Sequence, residues 1–178
     1  MTDDRWVGSS TPYLTPSAGD AWGSEAAQRG RSGTQRILSA EEVSAPVAIA
    51  EALQIPPGSP VVRRERLIVL DERPIEVARS FWPAAIARDT ALAGTGKIRG
   101  GAVSLLADLG YAPGSIEESI QTRPPTASEG KELQLADAGE WVLVLTRTIT
   151  TNHGAPYEVS VMVSPGRVGR LHYSMKVD

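Results

Sequence analysis

The sequence contains no cysteine, two histidines and one phenylalanine in 178 residues. Without cysteine it can form neither a disulfide nor a thiolate metal site, which fits a reducing compartment such as the cytoplasm. His153 and His172 are too few for a histidine-rich metal site, and we expect no metal and no cofactor. No apolar run approaches the roughly 18 residues of a membrane span, and the N-terminus lacks the apolar core of a signal peptide.

A surplus of charge is also lacking, since 18 basic residues stand against 21 acidic ones for a net charge of −3. A free-standing nucleic-acid binder usually carries a basic surplus, so we do not expect this chain alone to bind DNA. The motifs GxGxxG, GxxxxGK[ST], HExxH and GxSxG are absent, which leaves the common nucleotide-binding, zinc-protease and serine-hydrolase chemistries without support. The length predicts one domain with a substantial core.

The main feature that is present is a long internal repeat. The stretch SPVVRRERLIVLDERPIEVARSFWP predicts a β-hairpin with its turn at Asp71-Glu72-Arg73-Pro74. A second stretch, GEWVLVLTRTITTNHGAPYEVSVMVSP, repeats it, with Arg147 matching Arg66 and Glu158 matching Glu76. The alternative is two hairpins that look alike by chance.

Each half of the repeat reads as helix, strand, short helix and hairpin. The sequence therefore predicts an α+β fold, a six-stranded antiparallel sheet with flanking helices, built from two related half-domains at about 17–83 and 98–165. Residues 1–16 are polar and turn-rich, and we expect a linker or arm there, with the domain at 17–178. Thr126 followed by Glu129 predicts a capping box at a helix start. The C-terminal VGRLHYSMKVD predicts an edge strand.

Charged residues inside the apolar strands mark a candidate ligand site. Arg66, Arg123 and Glu158 are each embedded in a strand where an unpaired charge is costly. A ligand carboxylate on an arginine would neutralise such a charge, and so would an internal Arg–Glu pair. Trp22 is either a core anchor or a wall of the site. The complete candidate set is Arg66, Arg123, Glu158, Ser80, Glu118, Trp22 and Arg64.

Three motifs in this order, LQIPPGSPVVRRERLIVLDERPIEVARSFWP, EESIQTRPPTASEGKELQL and VLVLTRTITTNHGAPYEVSVMV, resemble the UTRA domain. This is the effector-binding domain of GntR-type transcription regulators of the HutC subfamily, and the resemblance covers about Ala18 to Tyr173. It implies a chorismate-lyase-like fold, a homodimer, and a small-molecule effector between the sheet and the first helix. It also implies operator DNA binding only through a winged helix-turn-helix domain, which this sequence does not contain.

The sequence departs from the family members that sense sugar phosphates. Those members use an Arg-x-Arg pair, of which Arg66 is matched and the second arginine is replaced. They place a glutamate where this chain has Ala78, whereas a second glutamate is matched by Glu158. At the start of the first helix, Asp20 already supplies the one negative charge that a helix N-terminus favours, which disfavours the binding of a phosphate there. We therefore expect a smaller or less anionic effector, carrying one carboxylate. The alternatives are a chorismate-lyase-like enzyme and a dimerisation module without ligand.

Overall fold

The fold is seen in a computed structural model, which describes residues 6–8, 21–136 and 139–172. Its strands, in chain order, are β1 (Trp6–Gly8), β2 (Gly33–Ser44), β3 (Pro60–Leu70), β4 (Arg73–Pro83), β5 (Ser115–Arg123), β6 (Val142–Thr150), β7 (Pro156–Pro165) and β8 (Gly169–Leu171). Its α-helices are α1 (Ala21–Gln28), α2 (Val47–Leu53), α3 (Ala84–Ala87), α4 (Gly101–Asp108) and α5 (Ala127–Glu132). None of these helices is long and apolar enough to cross a bilayer.

Six of the strands form one antiparallel sheet in the order β2-β3-β4-β7-β6-β5. This confirms the predicted fold class. Within the described residues, the predicted C-terminal edge strand corresponds to β8, which pairs in parallel with β1 in a separate two-stranded sheet. The end of that prediction, residues 173–178, lies outside the described residues, as does most of the expected arm, residues 1–5 and 9–16.

The two half-domains are related as the repeat predicts. Gly101 begins α4 80 residues after Ala21 begins α1, and α1 and α4 both end near a glycine with positive φ, Gly30 at 69° and Gly110 at 91°. The halves meet where β4 pairs with β7, and Arg79 lies opposite Val161. Because these two residues are equivalent in the repeat, an approximate two-fold axis passes between them. The sequence order β2-β3-β4 is thus mirrored by β5-β6-β7 across the sheet.

The turn of the first hairpin is shorter than predicted. Asp71 and Glu72 alone form it, with φ angles of 46° and 67°, and Arg73 and Pro74 already belong to β4. Two left-handed residues give a turn whose twist matches that of the flanking strands, so no longer loop is needed. The prediction of a four-residue turn was wrong for this reason.

The pairing register of this hairpin, which the sequence left open, separates its arginines. A turn centred between Glu72 and Arg73 would set Arg66 against Arg79. The turn consists of Asp71 and Glu72 instead, and with the irregularity after Ile68 the residue opposite Arg66 is Ala78. Arg79 instead lies opposite Glu65, and its Nη2 donates to that carboxylate over 3.3 Å. The like-charge contact is thereby avoided.

Helices cover both faces of the sheet. On one face, named here the α1–α4 face, Trp22 of α1 packs with Ile68, and Leu106 of α4 packs with Trp82. On the opposite face, the α2–α5 face, α2 contributes Leu53 to one cluster and the residues just after α5 contribute to another. Adjacent strand residues point to opposite faces, so the strands β3, β4, β6 and β7 contribute to the cores on both faces.

Candidate functional site

Polar side chains occupy the centre of the α1–α4 face, where four apolar strands meet. Arg66 lies on β3, Ser80 on β4 and Ser160 on β7, and Ser80 and Ser160 are directly paired. Arg66 Nη2 donates to Ser80 Oγ at 3.4 Å, and the two serine oxygens are 2.8 Å apart. Ser160 Oγ then donates to Glu158 Oε1 at 2.8 Å. The structure therefore brings together three of the predicted residues, Arg66, Ser80 and Glu158.

Two glutamates flank this row, one from each half-domain, and of these Glu158 is buried and Glu76 is partly buried. Trp82 Nε1 donates to Glu158 Oε2 at 2.9 Å, and Ser164 Oγ donates to Glu76 Oε2 at 3.4 Å. Trp82 and Ser164 are equivalent in the repeat, as are Glu76 and Glu158. Burial raises the pKa of Glu76, against the opposing effects of the positive charges of Arg66 and of its repeat partner and of the Ser164 hydrogen bond. Each half-domain thus supplies one carboxylate with one neutral donor.

The two arginines of the repeat differ in their partners. Arg147 Nε donates to Glu118 Oε1 at 2.7 Å, and both side chains are almost buried, at 9% and 11% exposure. Glu118 lies opposite Arg147 on β5, whereas the residue opposite Arg66 on β2 is Ile37. Arg66 Nε is buried and has no hydrogen-bond partner among the described residues. The two-fold relation between the half-domains therefore does not extend to these charges, because Arg66 lacks the paired carboxylate that Arg147 has.

Arg64 is next to Arg66 on the same face but faces a loop. It is 4% exposed, and its guanidinium donates to the backbone carbonyls of Ala91, Gly94 and Gly96. Burial and then the neighbouring charge of Arg66 lower the pKa of Arg64. These hydrogen bonds hold the segment that leads into α4, so the guanidinium of Arg64 has a structural role.

Trp22 is a core residue. It is 6% exposed and packs with Ile68 and Leu70, and its Nε1 donates to the carbonyls of Thr34 and Val69 at 3.1 and 3.2 Å. Of its two interpretations, the geometry favours the core anchor. The predicted helix start with Asp20, where a phosphate would bind in the family, lies outside the described residues.

Arg123 lies on the opposite face of the sheet from the other candidates. Its Nη1 and Nη2 donate to the two carboxylate oxygens of Glu129 at 2.7 and 2.9 Å. Glu129 also accepts from Arg79, whose strand neighbour Ser80 points to the α1–α4 face. Arg123 therefore lies on the α2–α5 face, and of the two explanations for its charge the internal Arg–Glu pair is the one observed.

Sequence reasoning missed Ser160 and Trp82 and did not include Glu76 or Arg147 in the site. The repeat carried the signal for the last two, because it maps Glu158 onto Glu76 and Arg66 onto Arg147. No sequence signal distinguishes Ser160 from other strand serines. Its role follows from the pairing of β4 with β7.

A protein-family model described as the UTRA domain matches residues 28–168. The chain belongs to the UTRA domain family. An uncharacterized HTH-type transcriptional regulator of Streptomyces coelicolor is 33% identical to this UTRA domain over 150 residues, or 80% of the chain. The chain spans 54% of that relative, about half its length.

Solved structures have the same fold. PhnF from Mycobacterium smegmatis aligns with a TM-score of 0.76 at 21% identity, covering 91% of this chain and 70% of that chain. The C-terminal domain of the histidine utilization repressor from Pseudomonas syringae aligns with a TM-score of 0.69 at 22% identity, covering 82% of this chain and 99% of that chain. The UTRA domain is the effector-binding domain of GntR-family regulators, and the relatives named here offer no support for the lyase alternative.

Proposed function

We propose that this UTRA domain senses a small metabolite that carries one carboxylate, and that Arg66 binds this carboxylate. The observation that carries the proposal is the broken symmetry of the α1–α4 face. Arg147 has Glu118 as a counter-charge, whereas Arg66 has Ile37 in the equivalent place and a buried Nε without an acceptor. A buried guanidinium nitrogen without an acceptor is costly, and a ligand carboxylate on Arg66 would supply that acceptor.

The geometry around Arg66 also supports space for a small ligand. Ala78 lies opposite Arg66 on β4, and Met162 follows on β7. In the family members that sense sugar phosphates, a glutamate stands in place of Ala78. A methyl group fills less volume above the sheet than a glutamate side chain does, and the equal number of acids and arginines nearby disfavours a doubly charged phosphate.

We further propose that the whole regulator is a cytoplasmic homodimer whose winged-helix domain binds operator DNA. Two-fold symmetry of such a dimer would match a palindromic operator. The effector would act by binding the DNA-competent and DNA-incompetent states unequally, since a ligand shifts an equilibrium only by its differential affinity.

A thermal-shift screen of this domain against a metabolite library tests the proposal. A ligand at about 100 times its dissociation constant adds about 2.7 kcal/mol, which is several degrees for a domain of this size. We expect a carboxylate-bearing hit that Arg66→Ala abolishes.

The matched control is Arg63→Ala. Arg63 is on the same strand but on the α2–α5 face, where it pairs with Glu41, and its Nε is likewise buried without a partner. A hit that survives Arg66→Ala, or that Arg63→Ala abolishes equally, contradicts the assignment. If no metabolite stabilises the domain, the dimerisation module without ligand becomes the better explanation.

A further inference from the structure

A row of hydrogen bonds joins a cation and an anion across the centre of the α1–α4 face. It runs from Arg66 through the hydroxyls of Ser80 and Ser160 to Glu158, with lengths of 3.4, 2.8 and 2.8 Å. Hydrogen bonds of this length hold the guanidinium and the carboxylate no more than about 9 Å apart. A small molecule lying along the two hydroxyls can reach both charges.

Among the described residues, neither end of the row forms an ion pair, although the positive charge of Arg66 also acts on Glu76. Glu158 is 7% exposed, and its carboxylate accepts from two neutral donors, Ser160 Oγ and Trp82 Nε1. Within the described residues, no lysine or arginine comes within 4 Å of that carboxylate, and no carboxylate comes within 4 Å of the Arg66 guanidinium. An isolated buried charge is costly, whereas Arg147 and Glu118 neutralise each other at 2.7 Å. The site thus offers one cation and one anion that no ion pair within the described residues neutralises.

The floor between these ends consists of small side chains. Ala78 is 2% exposed, Ser80 is 1% exposed and Ser160 is 4% exposed. The register places all three on the two central strands, between the strand of Arg66 and the strand of Arg147. The charged side chains around this centre are longer than those within it, so a ligand over the serines would lie among the charged groups.

The formal charges of the face balance. Among the described residues, three arginines and three glutamates lie around its centre on strands β3 to β7, namely Arg64, Arg66, Arg147, Glu76, Glu118 and Glu158. A polyanion would find no matching surplus of positive charge there, and a polycation would find no surplus of negative charge. A ligand with one charge of each sign keeps the balance and meets the charges at both ends of the row.

We propose that the effector is a small zwitterion of the amino-acid class, with its carboxylate on Arg66 and its ammonium group on Glu158. The Ser80 and Ser160 hydroxyls lie beneath its carbon chain and can bond its polar groups. This inference rests on the proposed function, since it takes the α1–α4 face as the effector site and specifies the chemistry bound there.

The test measures the thermal midpoint of the domain with a defined set of probes. The set contains the common α-amino acids and the ω-amino acids from β-alanine to aminohexanoate, each at about 10 mM. Every amino acid that raises the midpoint is compared with the amine that lacks its carboxylate and the acid that lacks its amino group. We expect at least one amino acid to bind about tenfold or more tightly than either of its two counterparts.

Two near-isosteric substitutions assign the two ends. Glu158→Gln keeps the shape of the side chain and should remove the preference for the amino acid over its deaminated acid. Arg66→Met should remove the response to every carboxylate, and Arg66→Lys, which retains the charge, should restore part of it. Arg63→Met on the α2–α5 face is the control and should leave all responses unchanged.

The outcomes distinguish the inference of a zwitterion from the proposed carboxylate-sensing function. If a deaminated acid binds as tightly as its amino acid, the zwitterion is wrong while the carboxylate-sensing function stands. If a preference for the amino acid survives Glu158→Gln, the assigned ammonium site is wrong. If no amino acid of the set shifts the midpoint, the inference is wrong, and the wider metabolite screen then decides the proposed function separately.

Discussion

Glu129 should stabilise the α2–α5 face, and replacing it by glutamine tests this. Its side chain is 1% exposed and accepts hydrogen bonds from Arg123, Arg79 and the backbone N–H of Thr126. Burial alone would raise the pKa of Glu129. The three donors outweigh burial and lower the pKa from 4.5 to about 2.

This shift corresponds to roughly 3 kcal/mol of stability at pH 7, at about 1.4 kcal/mol per unit. Arg123, with its side chain 32% exposed, is screened by solvent, which reduces the expected contribution to about 2–3 kcal/mol. Because the folded-state pKa lies below the unfolded value, the stabilisation is complete above about pH 4.5. It is lost as the pH falls from there towards 2.

Urea unfolding of the wild type and Glu129→Gln at pH 7 and pH 3.5 measures this contribution. We expect the variant to be less stable by about 2–3 kcal/mol at pH 7, and the difference to shrink by about 1 kcal/mol at the lower pH. The control is Glu42→Gln. Glu42 also accepts two bonds from one arginine, Arg88, at 2.7 and 2.8 Å, but both side chains are exposed, at 39% and 55%.

Exposed pairs contribute little, so Glu42→Gln should cost far less than Glu129→Gln. Equal costs for the two substitutions would refute the argument from burial. A difference between wild type and Glu129→Gln that stays constant down to pH 3.5 would refute the argument from the lowered pKa.

Three further predictions concern the backbone at two glycines, the turn residue Glu72, and the carboxylate of Glu76. Gly114→Ala should lower the free energy of unfolding in urea by more than about 1 kcal/mol, because the new Cβ would lie 2.4 Å from the backbone nitrogen of Asn152. Gly130→Ala, inside α5 and with no described atom within 4 Å of the new Cβ, should raise it by about 0.5–1 kcal/mol. Similar losses at both sites would contradict this. Glu72→Gly should raise the melting temperature by about 2–4 °C by relieving a left-handed residue, and a lower melting temperature would argue against strain there. Glu76→Gln should be more stable than the wild type at pH 7 but not below pH 4.5. Burial raises the pKa of Glu76, so the ionised form at pH 7 destabilises the fold, whereas the protonated form at low pH is neutral like glutamine. A stability advantage of the variant that persists below pH 4.5 would have another cause.

The sequence contained enough local information to predict most of the secondary structure. Apolar runs with turn residues between them predicted both hairpins, and the repeat predicted that each half would contribute three strands. The capping box at Thr126 and Glu129 is confirmed, since both of its hydrogen bonds form. These features depend on neighbours a few residues apart, so they can be read from the order of residues alone.

Strand parity could have excluded Arg123 from the site. Along β5, Glu118 and Arg123 are five positions apart and therefore point to opposite faces of the sheet. Glu118, which pairs with Arg147, and Arg123, which pairs with Glu129, therefore cannot line the same pocket. The sequence thus contained the information, but only once the face of Glu118 was known.

The sequence by itself determined which charges are embedded in strands, and it related Arg66 to Arg147 through the repeat. Only the tertiary structure decided which of these charges are neutralised. That choice depends on pairing between strands far apart in the chain, which sets Glu118 against Arg147 and Ile37 against Arg66. Pairing of β4 with β7 likewise joins Ser80 to Ser160. Coulomb and hydrogen-bond energies depend on distances of a few ångströms across the sheet, and those distances are fixed when the whole sheet assembles.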